Sequence, residues 1–213
     1  MRFRVRVSGS PEVRHPREPP AALARRLARH KALRVARLQP RAAVLGADTV
    51  VCLGSRVLGT PHHRAEALRM LRLLSGREHR VWTAVALILP GAGLRQQAVC
   101  TRVRVARMSE AERTAYLNSG EWQGKAGAYG IQGRFAAYVR SLTGSYTNVV
   151  GLPLEPLRRM LRRAGLLEAP PEPGRRSRKG AAPPRRAQAP PGRQRSRGRR
   201  AAATSSSRRT GVR

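Results

Sequence analysis

Aspartate is nearly missing from this chain: Asp48 is the only one in 213 residues. Lysine is almost as scarce, with Lys31, Lys125 and Lys179 set against 41 arginines. Aromatic residues make up 4% of the sequence and there are two cysteines. No apolar stretch reaches the ~18 residues that a membrane-spanning helix takes, and no charged-then-apolar leader opens the chain. A soluble, cytoplasmic protein without a membrane partner is expected. Cys52 and Cys100 are isolated in β-type runs with no CxxC neighbour, which argues against a zinc site or a disulfide framework and for reduced core residues. Walker A, GxSxG and HExxH patterns are all absent, removing P-loop, α/β-hydrolase and zincin chemistry from consideration. No internal repeat is visible.

What is present is a large excess of positive charge, +33 overall. Residues 1–168 carry 30 basic side chains against 10 acidic ones, and 169–213 carry 14 against one. The first part holds nearly all the large apolar residues. The second consists mainly of Arg, Ala, Pro, Gly and Ser, cannot bury enough surface to offset its ordering entropy, and reads as a disordered tail. The organisation expected is one domain over 1–168 followed by a tail over 169–213. An Arg-rich tail binds phosphate backbones without sequence preference, making nucleic acid a candidate partner, although the tail lacks aromatics for base stacking. Because arginine, alanine, glycine and proline are enriched along the whole chain, part of this charge reflects compositional bias.

That bias makes the exceptions informative. Val44 to Leu53 is an apolar β-type run interrupted by Asp48 and Thr49. Within a buried strand a carboxylate needs a cation, a metal or a donor network; the alternative is that Asp48 ends the strand and caps a turn. Lys31 and Lys125 are the only lysines of the first 168 residues, in a chain that uses Arg wherever any cation suffices, and the two side chains are not equivalent.

In chain order, residues 2–8 alternate basic and apolar, a period of two that fits an edge or half-exposed strand. Residues 9–17 form a loop containing Glu12. Pro19-Pro20 opens a helix to about Leu38, in which Leu23, Leu27, Lys31 and Val35 share one face. Lys31 therefore sits on the apolar stripe, where it either snorkels to the rim of the core or faces a site needing positive charge. The run at 44–53, a short strand to Leu58, and a helix from Arg64 to Leu74 follow. Val81–Leu89 and Ala98–Val105 flank a Pro-Gly turn and read as a hairpin. Ser109 and Glu112 form a capping box for a helix to about Asn118. His62 and His63 lie at a helix start and read as a solvated cap. A glycine-dense loop over 120–133 carries Lys125 and Gln132 and is suited to close approach of a ligand. Phe135–Leu142 reads as a last strand, residues 143–151 as a polar turn, and Pro153 starts a final amphipathic helix to about Ala164. Strands and helices in this order predict an α/β or α+β domain with a mixed sheet flanked by helices.

Two carboxylates (Asp48, Glu12), two ammoniums (Lys31, Lys125) and two glycine-rich turns form a set suited to a phosphorylated ligand, with carboxylates for Mg²⁺ or Mn²⁺ and lysines for phosphate charge. From about Gly9 to Leu167 the chain resembles the Maf-like nucleoside triphosphate pyrophosphatases. The resemblance is carried by the Glu12 segment, Arg26-Leu27-Ala28 with Lys31-Ala32, Leu45-Gly46-Ala47-Asp48-Thr49, Leu74-Ser75-Gly76, Ser119-Gly120-Glu121 with 125–133, and Gly144-Ser145-Tyr146 with 148–153.

The resemblance implies a hydrolase that, with a divalent metal, splits a nucleoside triphosphate into monophosphate and pyrophosphate, including the removal of non-standard nucleotides. It implies that Asp48 and Glu12 are catalytic and hold the metal, that Lys31 and Lys125 bind substrate, and that Thr49 and Gln132 bear on base choice. The Lys-Ala-Gly-Ala-Tyr-Gly-Ile-Gln-Gly form is similar to the branch acting on dTTP and UTP. A homodimer is also implied. Two features depart from the family pattern. The Ser-x-Ser-Pro-Arg-Arg segment expected upstream of the Glu12 region has no counterpart, which points to a start upstream of the recorded one, and Thr60-Pro61 stands where Lys-Pro is usual. The rival reading is a catalytically impaired relative with a regulatory or nucleic-acid-binding role through the basic tail.

Overall fold

The computed structural model describes residues 3–168. The expected tail at 169–213 lies outside the described residues. Pro19-Pro20 starts helix α1, Pro20–Leu38. Strand β1, Val44–Leu53, turns through Gly54-Ser55 into β2, Arg56–Leu58. Helix α2 covers Arg64–Leu74, and its N-cap is His63, whose Nδ1 accepts from the Glu66 amide at 3.3 Å. The hairpin is longer than its apolar centre suggested, with β3 at Glu78–Leu89 and β4 at Gly93–Val105. Helix α3, Glu110–Asn118, has both hydrogen bonds of the Ser109/Glu112 capping box. Strand β5 is Val139–Thr143, α4 is Tyr146–Val150 and α5 is Leu154–Arg163.

The strands form one sheet in the order β2-β1-β3-β4-β5. The α/β layering is as expected, whereas the mixing of strand directions is not: every ladder among the described residues is antiparallel. The β1–β2 and β3–β4 links are tight turns, which allow only antiparallel neighbours, and α2 returns the chain to β1 running the opposite way.

One face of the sheet is covered by α1 and the other by α2, α4 and α5. The α1 layer is built from small residues: Ala24, Ala28 and Ala32 of the helix share a buried cluster with Ala84, Ala86, Val44 and Val50 of the strands. Gly46 makes the approach possible, because a Cβ there would stand 2.5 Å from the Ala28 carbonyl oxygen and 2.7 Å from the Ala32 nitrogen. The opposite face holds the larger core, with Leu71, Leu74, Val81, Val103 and Phe135. A separate cluster packs Val85 and Leu87 against Leu157, Met160 and Leu161 of α5.

Three further sequence expectations are corrected. The polar turn expected over 143–151 holds helix α4, capped by Ser145, whose Oγ accepts from the Asn148 amide at 3.2 Å. Residues 3–8 form no strand; Phe3, Val5 and Val7 are 78%, 85% and 92% exposed, so the alternating pattern has no ladder to join. Within 135–142 only the second half is strand. Arg134–Tyr138 is a 3₁₀ helix, because Phe135 turns inward to meet Tyr116, Tyr129 and Tyr138 in an aromatic cluster. Cys52 is buried, Cys100 is half-buried, and both are free.

Candidate active site

Alternation along β1 sends Asp48 to the α1 face and Thr49 to the other. Because α1 is seated closely over Gly46, Lys31 reaches the strand, and its Nζ donates to Asp48 Oδ1 at 2.6 Å. The same ammonium donates to Glu12 Oε1 at 2.6 Å. Lys31 thus points its ammonium at two carboxylates and not at open solvent. Asp48 continues the strand and caps no turn.

Glu12 lies outside regular structure and is held by clamps from α1. Arg34 donates to the Gly9 carbonyl at 2.9 Å, and Arg26 donates to the Val13 carbonyl and to both oxygens of Glu18 at 2.7 Å. The Arg26 hydrogen bond holds the Glu18 carboxyl down at about 2, against the opposing pull of its burial. Arg26 and Arg34 flank Lys31 on the helix. Their clamping role was not read from the sequence, where arginine is too common to stand out.

The electrostatics of the trio follow from unequal burial. The Asp48 side chain is 4% exposed and that of Glu12 is 53%. Burial pushes Asp48 up to about 6, although the hydrogen bond and charge of Lys31 pull it down. Burial opposes the charged form of Lys31 too, but its bonds to Asp48 and Glu12 outweigh that, and its pKa is raised. An ammonium carries three donors, so one Lys31 N–H remains for a further acceptor. Beside it lies a cavity of about 400 Å³, bounded by residues 6–10, Glu12, Lys31, Val35 and residues 45–47. No cluster of three or more His, Cys, Asp or Glu side chains able to hold a metal is present among the described residues.

The remaining candidates are not joined to this trio. Thr49 belongs to a neutral network on the opposite face. Thr83 Oγ1 donates to the Asn148 carbonyl at 2.7 Å, so in its 2.9 Å contact with Thr49 it is the acceptor and Thr49 donates. Asn148 Nδ2 donates to the Val81 carbonyl and to Thr101 Oγ1, both at 3.0 Å. Lys125 and Gln132 are exposed on the glycine-rich loop. That loop packs on Thr49's side, where a Cβ at Gly127 would meet Val51 Cγ1 at 2.9 Å. One feature of the sheet lies between the two groups: β2 pairs with β1 only over Val51–Leu53, so residues 44–50 have no strand partner on that edge among the described residues.

Gly46 and His79 carry structural weight that the sequence reading missed. A glycine inside a strand pattern signals close backbone approach, so Gly46 had a usable signal. His79 had none: it is 2% exposed, sits 2.7 Å from the Tyr129 hydroxyl, and burial holds it down at about 4.

The sequence places this architecture in a defined group. The family model described as Maf-like protein matches residues 1–164. The chain belongs to the Maf-like family. A protein from Brucella abortus named dTTP/UTP pyrophosphatase is 53% identical over 144 residues, covering 65% of this chain and 69% of that protein. One of the same name from Koribacter versatilis is 47% identical over 167 residues, covering 78% and 86%. Another from Agrobacterium fabrum is 50% identical over 143 residues, covering 64% and 69%.

Proposed function

We propose that this chain is a nucleoside triphosphate pyrophosphatase of the dTTP/UTP type, hydrolysing its substrate to the monophosphate and pyrophosphate. The observation that carries this reading is the convergence of Glu12, Lys31 and Asp48 beside an open cavity. The relatives named dTTP/UTP pyrophosphatase supply the substrate class.

In this reading Asp48 is the catalytic carboxylate that takes a proton from the attacking water. Its pKa near 6 suits it to the task, since the carboxylate is available at neutral pH and basic enough to accept a proton. Lys31 orients both carboxylates and offers its third N–H to a phosphate oxygen. Glu12, exposed on a clamped loop, is the second catalytic carboxylate.

The donor set fits a divalent metal. Asp48 and Glu12 are two hard oxygen ligands sharing one counter-ion, and Mg²⁺ arriving with a nucleotide uses one or two carboxylates and completes its shell with phosphates and water. When bound, Mg²⁺ or Mn²⁺ would neutralise phosphate charge and favour the departure of pyrophosphate. We assign Lys125 to phosphate contact, and Thr49 and Gln132 to the base side, reached along the free edge of β1. The two free cysteines suit a reducing cytoplasm. The homodimer rests on family resemblance alone.

The test is pyrophosphate release from dTTP, UTP, CTP and GTP with Mg²⁺ or Mn²⁺, in the chain and its Asp48→Asn variant. Turnover on dTTP and UTP that vanishes in the variant is the expected result. No turnover on any of the four would overturn the reading.

A further inference from the structure

On the α2 face of the sheet lies a second, larger concavity of about 560 Å³ whose walls carry Arg72, Arg77, Arg107 and Arg113. The four arginines come from four separate places: α2, the turn after it, the loop after β4, and α3. It shares no lining residue with the cavity beside Lys31. Arg77 adjoins the start of β3, whereas Asp48 pairs with Ala84 six residues further along, roughly 20 Å at ~3.3 Å per residue.

The arginines are partly ordered already. Glu110 accepts from Arg72 at 2.8 Å with one oxygen and from Arg113 at 2.6 Å with the other, and Arg113 also donates to the Met108 carbonyl. One carboxylate therefore fixes two guanidinium groups and leaves the four-arginine cluster with a net charge of +3. The Nε of Arg113 is buried with no hydrogen-bond partner. Arg77 and Arg107 make no ion pair or side-chain hydrogen bond among the described residues. Arginine side chains lining one concave space are suited to a compact multivalent anion with several acceptor oxygens. A polynucleotide backbone would instead call for a linear track of cations.

We propose that this concavity is a second anion site, binding a polyphosphate at a place separate from the Asp48 site. Two sources share that chemistry: free pyrophosphate, and the triphosphate of a nucleotide.

The full-length chain would be titrated calorimetrically with inorganic pyrophosphate, and separately with α,β-imido-dUTP, in chelator without added metal. The variants would be Arg77→Gln/Arg107→Gln and, as a control at the other site, Lys31→Met. Arg77 and Arg107 are exposed and make no ion pair among the described residues, so the double variant should fold normally, checked by its far-UV circular dichroism. A loss of tenfold or more in affinity for at least one ligand, retained affinity in Lys31→Met, and dTTP hydrolysis unchanged in the double variant would support the site. The ligand that loses more identifies the source. Unchanged affinity for both ligands would overturn it. Weakened binding of a single-stranded RNA with polyphosphate binding intact would also overturn it, marking the patch as a polynucleotide surface.

Discussion

The two faces of the sheet treat polarity in opposite ways. On the α1 face the polar groups are ions, packed at 2.6 Å and opening onto a cavity. On the opposite face the groups buried against the strands are neutral, and charge lies at the rim, as around Arg72 and Arg113: Thr49, Thr83, Thr101 and Asn148 form a hydrogen-bonded chain, and His79 pairs with Tyr129. Buried charge is costly unless something requires it, whereas satisfied neutral groups tie elements together at little cost. The difference is between an ion trio open to a cavity and a closed neutral network that ties β3, β4 and α4 together.

The sharpest way to break this comparison is Asp48→Asn. Hydrolysis should fall by about 10² to 10⁴, while the thermal midpoint stays level or rises, because the variant removes a carboxylate whose burial disfavours its charge. A large drop in the midpoint would show that the ion is structural after all. Next in size is Gly46→Ala. Its new methyl would run into the backbone of α1, so a loss of about 3 kcal/mol in chemical denaturation is expected. Activity should fall with it as Lys31 is pushed off Asp48.

His79 tests the neutral face through pH. Its folded pKa of about 4 lies below its unfolded value, so the folded state binds fewer protons between pH 4 and 6.5. Stability is therefore lost as pH falls through that window, by up to about 3 kcal/mol. His79→Gln should flatten that limb of the pH–stability curve, and an unchanged slope would assign it to other groups. Asn148→Ala removes the side-chain donor shared by the Val81 carbonyl and Thr101 Oγ1 and should cost roughly 2 kcal/mol, with turnover per folded molecule unchanged. The smallest expected change is a shift in the pH profile of Lys31→Met, beneath the loss of rate that removing the ammonium brings. The acid limb of its residual kcat/KM profile should move up by about one pH unit, because the cation that lowers the Asp48 pKa is gone.

The helices and most strands were legible because their periodicity is local. Pro20, the Ser109/Glu112 box and the 44–53 run needed no knowledge of the rest of the chain. Residues 3–8 show the limit, since an alternating pattern becomes a strand only beside a partner edge. Phe135 shows another: the pull of an aromatic cluster overrode a β-type sequence. In the site, Asp48 and Lys31 were identifiable as exceptions to the arginine-rich composition and Glu12 through the family resemblance, but the clamping roles of Arg26 and Arg34 were hidden by that composition.

The residue types, the period of β1 and the family membership are properties of the sequence itself. With them comes one consequence for the site, since neighbours on a strand must point apart and Asp48 and Thr49 cannot share a face. Only the tertiary structure decided what each would meet. Glu12 and Asp48 lie 19 and 17 residues from Lys31 along the chain, and nothing local brings them within 2.6 Å. That convergence depends on a helix settling over a glycine, where the absence of one side chain sets the distance between two layers.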